Sequence, residues 1–117
     1  MDVELIREYC IGKQRVTESF PFDTETLVFK VEGKIFLLIS LNNPDSFNVK
    51  CDPEEAIRLR EEYSEVVPGY HMNKKHWNTV YLNGRLNNQQ LHKMIDDSYW
   101  LVVKSLPKKI RETFNNL

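Results

Sequence analysis

The chain has 117 residues, 41% of them hydrophobic and 28% charged, with a net charge of −1. This composition fits one globular domain spanning 1–117, and four Gly and five Pro are too few for a disordered or low-complexity chain. No apolar run approaches the roughly 18 residues of a membrane span, and Asp2 and Glu4 stand where a signal peptide would be positive, so a cytoplasmic protein is expected.

Asp2 caps a predicted first helix that runs to about Ile11 and closes at Gly12, with Leu5, Ile6, Tyr9 and Cys10 on one side. FPFDTET (20–26) reads as a turn. LVFKV (27–31) alternates, placing Leu27, Phe29 and Val31 on one face, and turns at Glu32–Gly33 into KIFLLISL (34–41). That second strand is apolar on both faces and is expected in the interior of its sheet. FNVKC (47–51) alternates again, with Phe47, Val49 and Cys51 inward; three strands with short connections imply an antiparallel meander.

Asp52, Pro53 and Glu55 together signal a helix start with a capping box, and Ala56, Leu59 and Tyr63 form its buried stripe. The paired glutamates 54/55 and 61/62 point about 100° apart on a helix, so they read as a solvated face rather than an acid–base pair. VVPGY (66–70) breaks this helix, and WNTVYL (77–82) has strand composition. A third helix starts at Asn87 with Gln90 as its box partner. Its stripe is Leu91, Ile95, Ser98, Tyr99, Val102 and Leu106, and Pro107 stops it. KKIRETF (108–114) is a short final helix with Ile110 and Phe114 expected inside. The predicted order is α-β-β-β-α-β-α, an α+β domain with helices packed on a mostly antiparallel sheet and helix dominant by count.

Charge is unevenly spread along the chain. Residues 1–65 hold eight Lys and Arg against fourteen Asp and Glu, a balance of −6; residues 66–117 hold eight against three, a balance of +5. PGYHMNKKHWNTVYLNG (68–84) contains no carboxylate. Lys74 and Lys75 sit at a predicted loop tip where ammonium groups reach phosphates at little backbone cost. Trp77 and Tyr81, on one strand face, are expected in the core. Lys104, Lys108, Lys109 and Arg111 form a second basic group, which would also suit a helix C-terminus. A basic face for an anionic partner is one reading of this split. Mutual cancellation of interleaved halves is the other, and charge alone leaves both open.

Signals for catalysis are absent: no GxSxG, glycine-rich phosphate loop or HExxH occurs, so no enzyme is expected. Cys10 and Cys51 are far apart and read as small buried residues, neither a disulfide nor a zinc pair. His71, His76 and His92 have no cysteine or carboxylate beside them in the sequence, and no metal or cofactor is assigned to them.

VFKVEGKIF (28–36), VKCDPEEAIRLREEY (49–63), VPGYHMNKKHWNTVYLNG (67–84) and DDSYWLVVKSLPKK (96–109), with FPF at 20–22, resemble the MmcQ/YjbR family of small bacterial proteins in order and spacing across nearly the whole chain. The resemblance implies a fold like the bacterial frataxin homologue, with terminal helices on one antiparallel sheet. It also implies DNA binding through a double wing. The wing candidates here are the Glu32–Gly33 turn and the Asn73–Lys75 loop, the first barely basic because Glu32 stands beside Lys34.

The expectation is therefore a monomeric, non-enzymatic DNA-binding protein held weakly and largely through the backbone. Lys74, Lys75, Arg85, Lys108, Lys109 and Arg111 would contact phosphate, and His76 and Trp77 would support the loop. Two rivals are an adaptor that takes a protein or small ligand on the open sheet face, and a frataxin-like metal binder using Asp2, Glu4 and Glu8.

Overall fold

The structure, a computed structural model, describes residues 1–69 and 72–114. In chain order the elements are α1 (Val3–Ile11), β1 (Val16–Ser19), β2 (Thr26–Val31), β3 (Lys34–Ser40), β4 (Ser46–Lys50), α2 (Pro53–Glu62), β5 (Val66–Pro68), β6 (Trp77–Tyr81), α3 (Asn88–Lys104) and α4 (Lys108–Arg111). The predicted α+β order is present, with two short strands added. β1 and β5 escape an alternation search because each is four residues or fewer, and VTES and VVP carry no apolar/polar pattern. Both lie at sheet edges. The six strands run β1-β2-β3-β4-β6-β5, every neighbour antiparallel.

Local chemistry accounts for the helix starts. The Asp2 carboxylate accepts the Leu5 N–H at 3.0 Å, and Asn87 and Gln90 form a reciprocal box at 2.8 Å in each direction. At α2, Asp52 accepts the Glu54 and Glu55 N–H groups with Pro53 behind it. Glu55 does not complete the expected box, because Arg58 takes its carboxylate at 2.5 Å and also holds Glu62. The β2–β3 turn puts Glu32 at φ 50° and Gly33 at φ 79°, the two positive φ values of a two-residue type I′ hairpin.

One face of the sheet is covered by helices. α3 lies across β2, β3 and β4, α1 covers β1, and α2 covers β5. Between them sit Phe29, Phe36, Phe47, Leu37, Ile39, Leu91 and Ile95, all nearly or fully buried. Each such side chain contributes roughly 1.5–3 kcal/mol of hydrophobic stabilisation. β3 is interior, flanked on both sides, as its two-faced apolarity requires.

A bulge shapes β3. Phe29 pairs with Leu37 and Lys30 with Ile35, so Phe36 has no opposite residue, and Phe36 and Leu37 both turn into the core. The neighbouring strand parts from β3 at this point. The buried Ser98 hydroxyl of α3 fills the gap, accepting the Lys50 N–H at 2.8 Å and donating to the Phe36 carbonyl at 2.6 Å. A polar residue on the helix stripe is thereby fully satisfied.

Several inward assignments differ. Leu5 is 47% exposed, and Ile110 and Tyr81 are each 36% exposed, whereas Ile6, Cys10 and Phe114 are buried. Ile6 and Cys10 form the buried side of α1 and leave Leu5 to solvent, and Ile110 sits on a four-residue helix too short to bury a full side. Both cysteines are buried and free, with burial pushing the Cys10 thiol up to about 12 and Cys51 to about 11.

Candidate nucleic-acid interface

The strand register decides which loops meet. Val16 pairs with Val31, Val31 with Lys34, Lys50 with Trp77 and Pro68 with Asn78. The starts of β1, β3 and β6 and the ends of β2, β4 and β5 therefore share one end of the sheet. Both wing candidates, the Glu32–Gly33 turn and the Asn73–Lys75 loop, project from that end.

The C-terminal half of α3 points the same way. Ser98 touches β3 and β4 at this end, and the Tyr99 hydroxyl donates to the Gln14 carbonyl at 2.8 Å. Further along, the Arg15 guanidinium lies 4.5 Å from the centre of the Phe114 ring. Lys104 lines a depression with Cys51 and Trp100 that also holds the carboxylates of Asp52, Glu55 and Asp97. The two basic groups, Lys74–Lys75 and Lys104–Arg111, thus occupy the same end of the molecule. Lys34 and Lys50 join them.

Acidic groups at this end are already engaged. Glu32 pairs with Arg15 at 3.2 Å, Asp52 caps α2, Glu55 is held by Arg58 and Asp97 by Lys93, and Glu112 lies 3.8 Å from Lys108. Among the described residues, Lys34, Lys50, Lys75, Lys104 and Lys109 have no carboxylate within ion-pair distance. Arg111 turns back to the Lys104 carbonyl at 3.3 Å, closing the end of α3 while remaining at the surface.

The Asn73–Lys75 loop is a built structure. Asn73 is its hub: its side chain accepts the Lys75 N–H at 2.9 Å, and its carbonyl accepts those of His76 and Trp77. The His76 carbonyl accepts the Cys51 N–H at 2.7 Å, tying the loop to the end of β4. From α2, Arg60 donates to the Asn78 carboxamide oxygen at 2.7 Å, the Lys74 carbonyl at 2.5 Å and the Trp77 carbonyl at 3.2 Å. Asn78 is 1% exposed, so this guanidinium bridges a buried amide to the loop backbone. Sequence reasoning missed Arg60 because nothing local distinguishes it from the solvated Arg58. Trp77 is 8% exposed and packs on Val28 and Leu38; it anchors the loop and offers no face to a base.

Arg85 is placed elsewhere. It follows β6 at the opposite end of the sheet, beside the start of β5, where Glu65 binds its main-chain N–H and its guanidinium. The structure does not bring Arg85 to the other cations, and its charge is opposed locally. His92 is also remote, stacked on Tyr9 with ring centres 3.9 Å apart, and His71 lies outside the described residues.

Along α1, Asp2 is spent on its cap and Arg7 holds Glu18 through two bonds of 2.8 and 2.7 Å. Among the described residues no three His, Cys, Asp or Glu side chains are gathered for a metal ion. No helix of the described residues is long and apolar enough to cross a membrane.

The sheet face away from the helices is only partly bare. Val28, Leu38 and Trp77 form a small buried cluster there with Ile35 and Met72 against it. Beside it lies a groove of 510 Å³, walled by Phe22 with Asp23 and by Met72, and floored by Thr26, Leu38, Ser40 and Asn48. Register places Lys30 and Lys50 on the same face, in line with Val28 and Asn48 and nearer the basic end.

Residues 11–101 match the YjbR family. An uncharacterized Escherichia coli K12 protein, YjbR, is 34% identical over 113 residues, 96% of each chain. The uncharacterized YbdF of E. coli O157:H7 is 43% identical over 91 residues, 77% of this chain and 75% of that one. Among solved structures, Deinococcus radiodurans protein DR2400 superposes with a TM-score of 0.89 at 38% identity, covering 94% of this chain and 85% of its own. A Pseudomonas syringae protein superposes at 0.72 with 29% identity, covering 86% and 98%.

Proposed function

Because this chain belongs to the YjbR family, we propose that it is a cytoplasmic, non-enzymatic DNA-binding protein whose basic sheet end lies against phosphates. The observation that carries the reading is the gathering of lysines from distant segments, Lys34, Lys50, Lys75, Lys104 and Lys109, at one end where the local acids are engaged by Arg15, Arg58, Lys93 or Lys108 or, for Asp52, by a helix cap. Such a surface attracts a polyanion without reading its sequence. Among the described residues no helix presents a row of base-reading side chains there, so contacts to the backbone dominate. The remaining acids, including the α2 face with Glu54, Glu61 and Glu62, orient the molecule by repelling the duplex from its other sides.

With about four phosphates neutralised, the logarithm of the affinity falls with the logarithm of salt at a slope of about −3.6. Titrating a short labelled duplex across salt concentrations, with the wild type and with Lys74→Ala/Lys75→Ala, tests this. A slope near zero, or an unchanged affinity in the double variant, rejects the proposal.

A further inference from the structure

On the premise that the basic end binds phosphate, we infer that the outer sheet face accepts an unpaired nucleotide of a single-stranded nucleic acid, base in the groove between Phe22 and Met72 and phosphate toward Lys50. The groove has the volume of a small-ligand site, 510 Å³ against the usual range of roughly 300–1,000 Å³. One wall is an aromatic ring that the fold itself does not bury: Phe22 is 64% exposed. A flat, solvent-facing ring at a groove mouth is a stacking platform for any base.

The floor can read a base edge. Asn48 accepts the Thr79 hydroxyl on Oδ1 at 2.5 Å, which fixes the carboxamide, and among the described residues its Nδ2 has no protein partner. That leaves a planar donor pair facing the groove, complementary to the carbonyl and ring-nitrogen acceptors of a base. Asp23, the one carboxylate among the described lining residues, accepts the Glu25 and Thr26 N–H groups and the Thr26 hydroxyl. The groove therefore presents apolar, aromatic and amide surface, with the Asp23 carboxylate turned to the donors of its own turn.

Charge completes the match. Lys50 shares the outer face with Asn48 two residues away, about 7 Å along the strand, and Lys30 stands likewise beyond Val28. Met72, the other wall, precedes Lys74 and Lys75 by two and three residues. A base within a duplex is stacked and paired and cannot enter such a recess; an unpaired one can.

The test is fluorescence polarisation at low salt with one labelled oligonucleotide, single-stranded and annealed, against wild type, Phe22→Ala and Asn48→Ala, with circular dichroism confirming that each variant folds. Each substitution is expected to weaken single-strand binding fivefold or more, from lost stacking at Phe22 and a lost donor at Asn48, and to leave duplex binding within about twofold. Equal losses on both forms, or none on either, overturn the inference while the phosphate-binding reading stands. If wild type binds neither form, that reading fails instead. The groove is then judged by NMR titration with a nucleoside monophosphate: shifts at Phe22, Leu38 and Asn48 uphold it and their absence ends it.

Discussion

Glu65 and Arg85 are locked together at the end of the sheet opposite the basic loops. Both the main-chain N–H and the guanidinium of Arg85 donate to a carboxylate that is 8% exposed, and the Ser64 hydroxyl adds a longer bond at 3.4 Å. The guanidinium also lies 5.7 Å from the centre of the Tyr63 ring. This clasp joins the start of β5 to the segment after β6, where the strands diverge.

The clasp makes stability sensitive to acid. Hydrogen bonds from the Arg85 backbone N–H, and then from its side chain, hold the Glu65 carboxyl at about 2, below its ordinary 4.5. A carboxyl whose folded value is depressed stabilises the protein fully above its unfolded value and loses that contribution as pH falls through the folded one. Thermal melts are expected to drop in Tm between pH 4.5 and 2. Glu65→Gln should be less stable at neutral pH and should show a shallower decline over that window.

Gly84 is required by the same clasp. A Cβ added there would occupy the space of the Glu65 carboxylate. The carboxylate cannot swing aside without releasing Arg85, so Gly84→Ala is expected to cost about 1–3 kcal/mol. Urea unfolding at pH 7 measures this cost, and the variant should also lose part of the acid-dependent slope. A neutral effect in both measurements would show that Glu65 has another resting place.

Ser98→Ala removes the hydroxyl that bridges the bulge. The Lys50 N–H and the Phe36 carbonyl would then be left without their partner inside the core. The expected loss is about 1–3 kcal/mol by chemical denaturation. Exchange of the Lys50 amide with deuterium should accelerate in step.

Arg60 positions the Asn73–Lys75 loop. Arg60→Lys keeps the charge but lacks the fork that reaches Asn78, Lys74 and Trp77 together. Hydrogen exchange at His76 and Trp77 is expected to quicken, and duplex affinity to fall severalfold with the salt slope unchanged. A reduced slope would instead mean that the loosened loop withdraws Lys74 or Lys75 from phosphate.

Lys75 and Lys109 come from segments far apart in the chain, so their contributions to the salt dependence should add. Each single alanine variant is expected to reduce the magnitude of the slope by about 0.9, and the pair by about twice that. Arg85→Ala, at the opposite end and paired with Glu65, should leave the slope as it is.

Much of this protein is decided by chemistry among residues a few positions apart. The caps at Asp2, Asp52 and Asn87, the alternation of Leu27, Phe29 and Val31, the turn at Glu32–Gly33 and the stripe of α3 are all local patterns, and each element stands where its pattern predicts. The family likeness is equally visible in short blocks of residues. What no local pattern carries is the pairing of distant partners. Glu65 neutralising Arg85, Arg60 reaching Asn78 and Lys74, and Glu32 held by Arg15 all depend on which strands become neighbours. Antiparallel register alternates the direction of the chain, so loops remote in sequence emerge at a common end. That rule brings Lys75 to the same end as Lys104 and sends Arg85 away, and charges follow the strands that carry them.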